Sequence, residues 1–238
     1  MDLKEEALLG AGVADHWYYR AKARALDRVA GPAPGRVLDV GAGAGFFSRH
    51  LLARGATAAV CVDPGYEADR DDCVAGKPLL FRRMPPDAAA DLVLMMDVLE
   101  HVDDDVGLAR SYVSAAAPGT RLIATVPAFQ WMWSGHDDFL EHRRRYTLTG
   151  LRHVLSAAGL QTEGGRYLYG FVLPAAMATR LPGQVLGRLV GRAPAVASQL
   201  RPMGTVASAV LSAACAAEAW LPGNLVAGLT AMAWGRVP

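Results

Sequence analysis

The sequence predicts an α/β fold in which helices cover both faces of a largely parallel sheet. Short apolar runs alternate along the chain with segments of helical periodicity, which is the pattern of strands joined by helical crossovers. The 238 residues, of which 52% are hydrophobic, are sufficient for one sizeable core. Because the formal net charge is only +1, we expect no broad basic face and no nucleic-acid partner.

A helical cap is expected over residues 1–35. Residues 15–29 combine aromatic and basic side chains at helical spacing ahead of the first strand. The opening stretch MDLKEEALLGAGV lacks the basic region and the length of a signal peptide, and the three cysteines contain no C-x-x-C pair. We therefore expect a cytoplasmic protein with reduced cysteines.

Apolar runs predict six strands in the core domain, residues 36–170, and a seventh after it. Between the fifth and sixth runs, residues 148–158 have helical periodicity and end at Gly159, a residue type common just after a helix. The predicted strands are RVLDV, TAAVCV, PLLF, DLVLMM, TRLIATV, LQTEGGRYLYG and NLVAGLTAMAW.

Residues 171–238 differ in composition from the rest, with five arginines against one acid, Glu218. Many alanines and the prolines spaced from Pro174 to Pro222 predict several short helices before the last strand. From Pro182 onward, apolar side chains share one helical face, so that segment is amphipathic. Three roles stay open for residues 171–221: a cover over the active site, a peripheral contact with an anionic membrane, or a homodimer interface.

The clearest motif is VLDVGAGAGFF, in which a strand runs into a glycine turn and then a helix. Gly41, Gly43 and Gly45 let backbone amides approach a ligand, and the helix start offers unpaired N–H groups. Phe46 stands where the nicotinamide fingerprint requires glycine, which argues against a dinucleotide. Asp63 closes the next strand, where a carboxylate can accept both hydroxyls of a ribose. The turn and Asp63 together predict a nucleoside cofactor.

These motifs, over about residues 15–170, resemble those of the class I S-adenosylmethionine-dependent methyltransferases. The glycine loop, the ribose acid, the string DVLEHVDDD and the turn at Pro118 and Gly119 all stand in the family's order. The resemblance implies a Rossmann-like sheet of seven strands, the last antiparallel, with a helical insertion before it. It implies that S-adenosylmethionine is bound by nine residues: Asp39, Gly41, Ala42, Gly43, Gly45, Phe46, Asp63, Asp97 and Tyr19.

One departure concerns adenine. The family often has an acid after the third strand that accepts the adenine amino group, and this chain reads LFRRM there. Adenine recognition therefore stays unassigned.

Candidate catalytic groups follow the fourth and fifth strands. Asp97, Glu100 and His101 stand at i, i+3 and i+4, which places them on one face of a helical turn. His136 and Asp137 lie in a segment where class I enzymes build the acceptor pocket. We take His136, His101 and Asp137 as candidate acid–base residues.

A divalent-metal site is the alternative use of the same residues. Ubiquinone-pathway O-methyltransferases and small-RNA 3′-end methyltransferases have a similar acid-x-x-Glu-His string with a distant histidine, which His142 resembles. That resemblance implies Asp97, Glu100, His101 and His142 as ligands. Without a metal, His136 is the expected base.

Three consecutive arginines stand in the stretch EHRRRYT. If this loop is extended, Arg143 and Arg145 face one side, and Arg144 and His142 the other. Pairing with nearby acids such as Asp137 is the usual role of such a cluster. The alternative is that one guanidinium enters the pocket and binds a carboxylate or phosphate of the acceptor.

The sequence therefore predicts a methyltransferase that acts on oxygen or nitrogen of a small molecule, with an anionic acceptor as one option. Two alternatives remain open. The same fold can serve a non-methylating reaction such as cyclisation, and it can form a non-catalytic, cofactor-binding partner subunit.

Overall fold

The computed structural model describes residues 16–32, 34–85, 89–180, 204–220 and 223–238. Its strands are β1 Arg36–Val40, β2 Ala58–Val62, β3 Arg70–Val74, β4 Lys77–Arg82, β5 Leu92–Met96, β6 Arg121–Pro127, β7 Gln161–Leu168 and β8 Thr230–Arg236. They form one sheet in the order β3-β4-β2-β1-β5-β6-β8-β7.

Helices cover both faces of the sheet, as predicted. Their bounds are α1 Trp17–Ala30, α2 Phe46–Ala53, α3 Asp105–Ala115, α4 Gly135–Phe139, α5 Leu148–Ala157 and α6 Thr205–Trp220. One apolar core joins α1, α2 and α6 to one face of the sheet, and a second core joins α3 and α5 to the other face. Asp104 caps α3 by accepting from the N–H of Gly107, and Thr147 caps α5 by accepting from the N–H of Gly150.

Strand directions confirm the predicted sheet and add one strand to it. β4, β2, β1, β5 and β6 are parallel, and β8 runs antiparallel between β6 and β7. The addition is β3, which pairs antiparallel with β4 at the edge. Its sequence, RDDCV, is polar and largely exposed, so no apolar pattern marked it as a strand.

The carboxyl ends of the parallel strands meet at one edge of the sheet. Asp39 pairs with Cys61 of β2 and Leu94 of β5, so the glycine loop, Asp63 and Asp97 follow neighbouring strands at the same level. This edge is where α/β sheets of this kind bind ligands.

The described part of residues 171–221 is helical, as predicted. Residues 173–180 are helical, and α6 packs against α1. The amphipathic segment predicted from Pro182 and the opening stretch MDLKEEALLGAGV lie outside the described residues. Among the helices that the structure does describe, none has the length and apolar character to cross a membrane.

Candidate functional site

The glycine loop turns sharply between β1 and α2. Gly41, Gly43 and Gly45 have φ angles of 62°, 52° and 73°, in the left-handed region that glycine favours. A Cβ on Gly41 would lie 2.6 Å from the side chain of Val98, and one on Gly45 would lie 3.0 Å from the sulfur of Cys61. Both the conformation and the close approach of neighbouring atoms therefore require glycine.

Two acids flank this loop. Asp39 is buried and accepts a hydrogen bond from the Ser48 hydroxyl at 2.8 Å, while its Oδ1 has no partner among the described residues. Burial raises the pKa of Asp39 to about 6. Asp63 accepts from the N–H groups of Gly43 at 3.2 Å and Gly65 at 2.9 Å. The Asp63 carboxylate is thus fixed beside the turn, where the sequence predicts a ribose.

Aromatic residues pack beneath the loop. Ala42 and Phe46 belong to the turn and the start of α2, and the ring of Tyr19 lies 5.5 Å from that of Phe46. Tyr19 is only 1% exposed and packs in the apolar core. Tyr66, which sequence reasoning missed, donates from its hydroxyl to the carbonyl of Gly43 at 2.5 Å. The sequence feature that could have identified Tyr66 is its position directly after the Asp-Pro-Gly turn that begins at Asp63.

A cavity of about 330 Å³ lies beside the carboxyl end of β5. Its walls come from α1, the turn after β5, the 136–145 segment, residues 172–180, α6 and the start of β8. This volume suits a small molecule. The cavity brings together five of the predicted site residues, Asp97, Glu100, His101, His136 and His142.

Asp97 is held by a buried lysine that sequence reasoning missed. Lys22, fully buried on α1, forms an ion pair with Asp97 and donates to the Tyr18 hydroxyl at 2.9 Å. The hydroxyl of Thr125 donates to Asp97 at 3.0 Å. Burial alone would raise the pKa of Asp97, but Lys22 outweighs it and holds that pKa below its ordinary value. The Asp97 carboxylate is therefore ionised, and its negative charge is balanced by Lys22.

Three of the four predicted metal ligands converge. The ligand atoms of Glu100, His101 and His142 all lie within 4.8 Å of one another, whereas Asp97 is not part of this group. The prediction of Asp97 as a fourth ligand is therefore not supported, because its carboxylate is committed to Lys22.

Glu100 is the least compensated acid of the cavity. It is 0% exposed, and neither carboxylate oxygen has a hydrogen-bond partner among the described residues. Burial and the nearby Asp97 raise the pKa of Glu100 well above its ordinary value. A buried glutamate side chain without hydrogen-bond partners is stable only if it is protonated or paired with a cation.

His142 is oriented by Asp137. The Nδ1 atom of His142 lies 2.9 Å from Oδ1 of Asp137. Because an ionised carboxylate only accepts, Nδ1 carries the hydrogen, and the lone pair of the neutral imidazole is therefore on Nε2. A histidine fixed in this way by a carboxylate is the usual arrangement of a metal ligand.

Asp137 itself is a structural anion and not a base, so that prediction is wrong. It is fully buried and forms two hydrogen bonds with Arg145, Nε to Oδ1 at 2.6 Å and Nη2 to Oδ2 at 2.9 Å. Burial raises the pKa of Asp137, but the hydrogen bonds from His142 and Arg145 lower it by more, well below its usual range. The carboxylate therefore does not take up a proton at neutral pH.

The first two arginines of EHRRRYT hold the turn that carries Glu100 and His101. Arg143 donates to the carbonyl of His101 at 2.8 Å and to the carboxylate of Asp103 at 2.7 Å. Arg144 donates to the carbonyls of Val102 at 3.1 Å and Asp103 at 2.9 Å. Because Arg143 and Arg144 both reach the turn after β5, the predicted alternation of these side chains is wrong.

His142 and Arg145 share the other side, where both contact Asp137. The prediction that His142 lies on the side of Arg144 is therefore also wrong. The physical reason is the buried carboxylate of Asp137, which holds His142 and Arg145, while the turn after β5 holds Arg143 and Arg144. All three arginines donate to carbonyls or acids, and Arg145 also lines the cavity.

His136 faces the cavity from α4. Burial lowers its pKa to about 4, although Asp137 opposes this. The imidazole is therefore neutral at neutral pH and can accept a proton, but only as a weak base.

Replacing Asp63 by alanine should weaken binding of S-adenosylhomocysteine about tenfold or more, because a carboxylate contributes charge-assisted hydrogen bonds to ribose. Calorimetry on the full chain measures this. Glu163→Ala is the control, since Glu163 lies on the edge strand β7 and forms an exposed ion pair with Arg236. Equal affinity in both variants would remove Asp63 from the cofactor site.

The glycine turn, the acid that closes β2 and the adjoining cavity define an α/β enzyme with a nucleoside-cofactor site beside a cavity. The family follows from the sequence profile of a methyltransferase domain, which matches residues 14–163. The chain belongs to this family and is an S-adenosylmethionine-dependent methyltransferase.

Solved structures share the fold at low identity. A Haloferax volcanii protein in complex with the methyltransferase activator Trm112 has a TM-score of 0.57 at 16% identity, over 95% of this chain and 92% of that one. An S-adenosylmethionine-dependent methyltransferase from Mesorhizobium loti has a TM-score of 0.52 at 17% identity, over 91% and 97%. The cyclase SpnF has a TM-score of 0.54 at 19% identity, over 93% and 82%. No curated protein sequence gives a significant match.

Proposed function

We propose that the chain transfers a methyl group from S-adenosylmethionine to oxygen or nitrogen of a small molecule held in the cavity beside Asp97. The observation that carries this is the cavity itself, about 330 Å³ at the edge of the sheet where the glycine loop and Asp63 also lie. Methyl transfer is an in-line displacement, so an enzyme mainly aligns two reactants and excludes water.

Apolar and polar groups of the cavity divide these tasks. Val172, Leu211 and Leu229 contribute apolar wall that excludes water from the reacting atoms. The pair of Lys22 and Asp97 fixes the end of β5 next to the cavity. An acceptor hydroxyl or ammonium must also lose a proton, which requires either a base or a cation that lowers its pKa.

Glu100, His101 and His142 support a divalent ion in that second role. They offer one carboxylate and two imidazoles within 4.8 Å, a donor set that suits Zn²⁺ or Mn²⁺. The buried carboxylate of Glu100 also lacks any other partner among the described residues. When bound, such an ion lowers the pKa of a coordinated hydroxyl. The resemblance to the ubiquinone-pathway O-methyltransferases fits the same assignment.

A screen with labelled cofactor tests the proposed reaction. The full chain is incubated with methyl-labelled S-adenosylmethionine and pools of small metabolites, and we expect label in one acceptor together with stoichiometric S-adenosylhomocysteine. A product that forms without release of S-adenosylhomocysteine would contradict methyl transfer. It would favour a reaction such as the cyclisation named for SpnF, which shares this fold.

Chelation should lower the methylation rate at least 100-fold, and added Mn²⁺ or Zn²⁺ should restore it, because His136 is a weak base and the ion takes its place. Independently of activity, Zn²⁺ should raise the melting temperature of the wild type but not of Glu100→Gln.

His136→Ala and His153→Ala form the matched pair for this test, since His153 is exposed on α5. Both variants should stay within about tenfold of the wild type. Full activity after rigorous chelation, combined with an inactive His136→Ala, would assign proton removal to His136 and leave His142 structural.

A further inference from the structure

Arg180 is a cation in the cavity that the proposed reaction does not use. It lies at the end of the helical residues 173–180, in the segment that covers the sheet edge, and its side chain lines the cavity. It stands in the compositionally distinct part of the chain, for which the sequence predicted a cover over the active site, a membrane contact or a homodimer interface.

Two other charged residues that line the cavity, Asp97 and Arg145, are already paired with opposite charges. Asp97 is bound to Lys22, and Asp137 is bound to Arg145. Within the described ranges, Arg180 forms no hydrogen bond or ion pair with any acid. Burial and the nearby Arg145 together lower the pKa of Arg180 to about 10, although Asp137 opposes this, as expected for a desolvated cation without a full counter-charge.

We propose that Arg180 binds an oxyanion of the acceptor, a carboxylate or a phosphate, and that the substrate is therefore an anionic small molecule. This inference rests on the proposed function. A guanidinium presents donors in a planar fork that matches both oxyanions, and its interaction is strong in a cavity from which water is excluded. The sequence offered Arg143, Arg144 or Arg145 as an alternative partner of an acceptor anion, and in this proposal Arg180, from a different segment, has that role.

The placement of the charges also orients the acceptor. Asp97 and Glu100 belong to the sheet edge, next to the glycine loop, whereas Arg180 belongs to the covering segment. An anion bound by Arg180 is held at the covering segment and not at the sheet edge. The reacting oxygen or nitrogen therefore points to the sheet edge, where the cofactor's methyl group is expected.

Binding of simple aromatic probes tests the inference without knowledge of the natural acceptor. The full chain, saturated with S-adenosylhomocysteine, is titrated with benzoate, phenyl phosphate and the neutral benzamide by ligand-observed NMR. We expect at least one anion to bind about tenfold more tightly than benzamide. Arg180→Gln should remove that preference and leave benzamide affinity unchanged, and Arg180→Lys should keep part of it. The stronger of benzoate and phenyl phosphate identifies the oxyanion.

Arg152→Gln is the matched control, because it removes the same charge from an exposed position on α5. It should bind all three probes as the wild type does. Melting temperature and S-adenosylhomocysteine affinity equal to those of the wild type establish that Arg180→Gln is folded. The proposal is overturned if Arg180→Gln, folded by these criteria, keeps the anion preference, or if benzoate and benzamide lose affinity equally.

The two proposals fail in different ways. If the anion preference depends on Arg180 but no acceptor is ever methylated, the proposed reaction is wrong and the anion site stands. If an anionic acceptor is methylated with the same kcat/KM by the wild type and Arg180→Gln, methyl transfer stands and the role of Arg180 is wrong.

Discussion

Lys22→Met lowers the free energy of unfolding by about 3 to 5 kcal/mol, the cost of leaving one partner of a buried ion pair without the other. Lys22 is 0% exposed and is the cation bound to Asp97, so the variant leaves a carboxylate that is buried without its counter-charge. Methionine has a similar length, and the packing of α1 is largely kept. Urea denaturation at neutral pH measures the loss.

Two further variants separate charge from packing. Lys77→Met removes a partly exposed lysine that donates to the carbonyl of Leu52, and it should cost no more than about 1 kcal/mol. Combining Lys22→Met with Asp97→Asn should recover much of the lost stability, since no buried charge is left unpaired. An unfolding free energy for Lys22→Met equal to that of Lys77→Met would contradict the ion-pair assignment.

The effect of Lys22→Met also depends on pH. Burial lowers the pKa of Lys22, but Asp97 and Tyr18 raise it by more, so it lies above 10.5, and the pKa of Asp97 lies below 3.8. The pair therefore stabilises the wild type between about pH 4 and 10.5. It is lost as pH rises through the pKa of Lys22 or falls through that of Asp97. In the variant, Asp97 can take up a proton, so the deficit should shrink as pH falls from 9 to 5.

Asp137→Asn should cost about 3 kcal/mol or more, because Arg145 would remain buried without an anion. Both side chains of this pair are almost completely buried, and Asp137 also accepts from His142 and from the N–H of Ser134. The stabilisation that comes from the low pKa of Asp137 is fully present above pH 3.8, the ordinary pKa of an aspartate. It is lost as the pH falls through the pKa of Asp137 in the folded protein.

Asp138→Asn is a control from the same helix. Asp138 is exposed and accepts from the indole N–H of Trp133, so its change should stay within about 1 kcal/mol. Chemical denaturation of both variants gives the comparison. If Asp137→Asn is no less stable than Asp138→Asn, Asp137 is not the anion on which this loop depends.

Much of the sheet could be predicted because buried parallel strands are continuous apolar runs in the sequence. The glycine loop and Asp63 were also predictable, since their chemistry follows from residue type at a fixed spacing. β3 was not, because an exposed edge strand needs no apolar residues. β3 forms by pairing with β4, and no local sequence pattern indicates that pairing.

The pairing of charges could not be predicted for a related reason. Lys22 stands among alanines and arginines on α1 and has the sequence context of an exposed lysine, and its partner Asp97 is 75 residues away. Asp137 lies next to His136 in sequence, yet one is a buried anion and the other faces the cavity. For Lys22 and for Asp137, burial determines the role of the side chain, and burial depends on the whole fold rather than on the neighbouring sequence.

The position of β8 between β6 and β7 has a consequence for how the molecule assembles. β6 and β7 both pair with β8 along nearly its whole length, although more than 60 residues separate β7 from β8 in the chain. During synthesis, β7 has no neighbour in the sheet until β8 has emerged from the ribosome, and the cavity lacks Leu229 and Thr230 until then. Such long-range pairing slows folding and exposes strand edges in the meantime. The site is therefore completed late, in one step that closes the sheet and the cavity together.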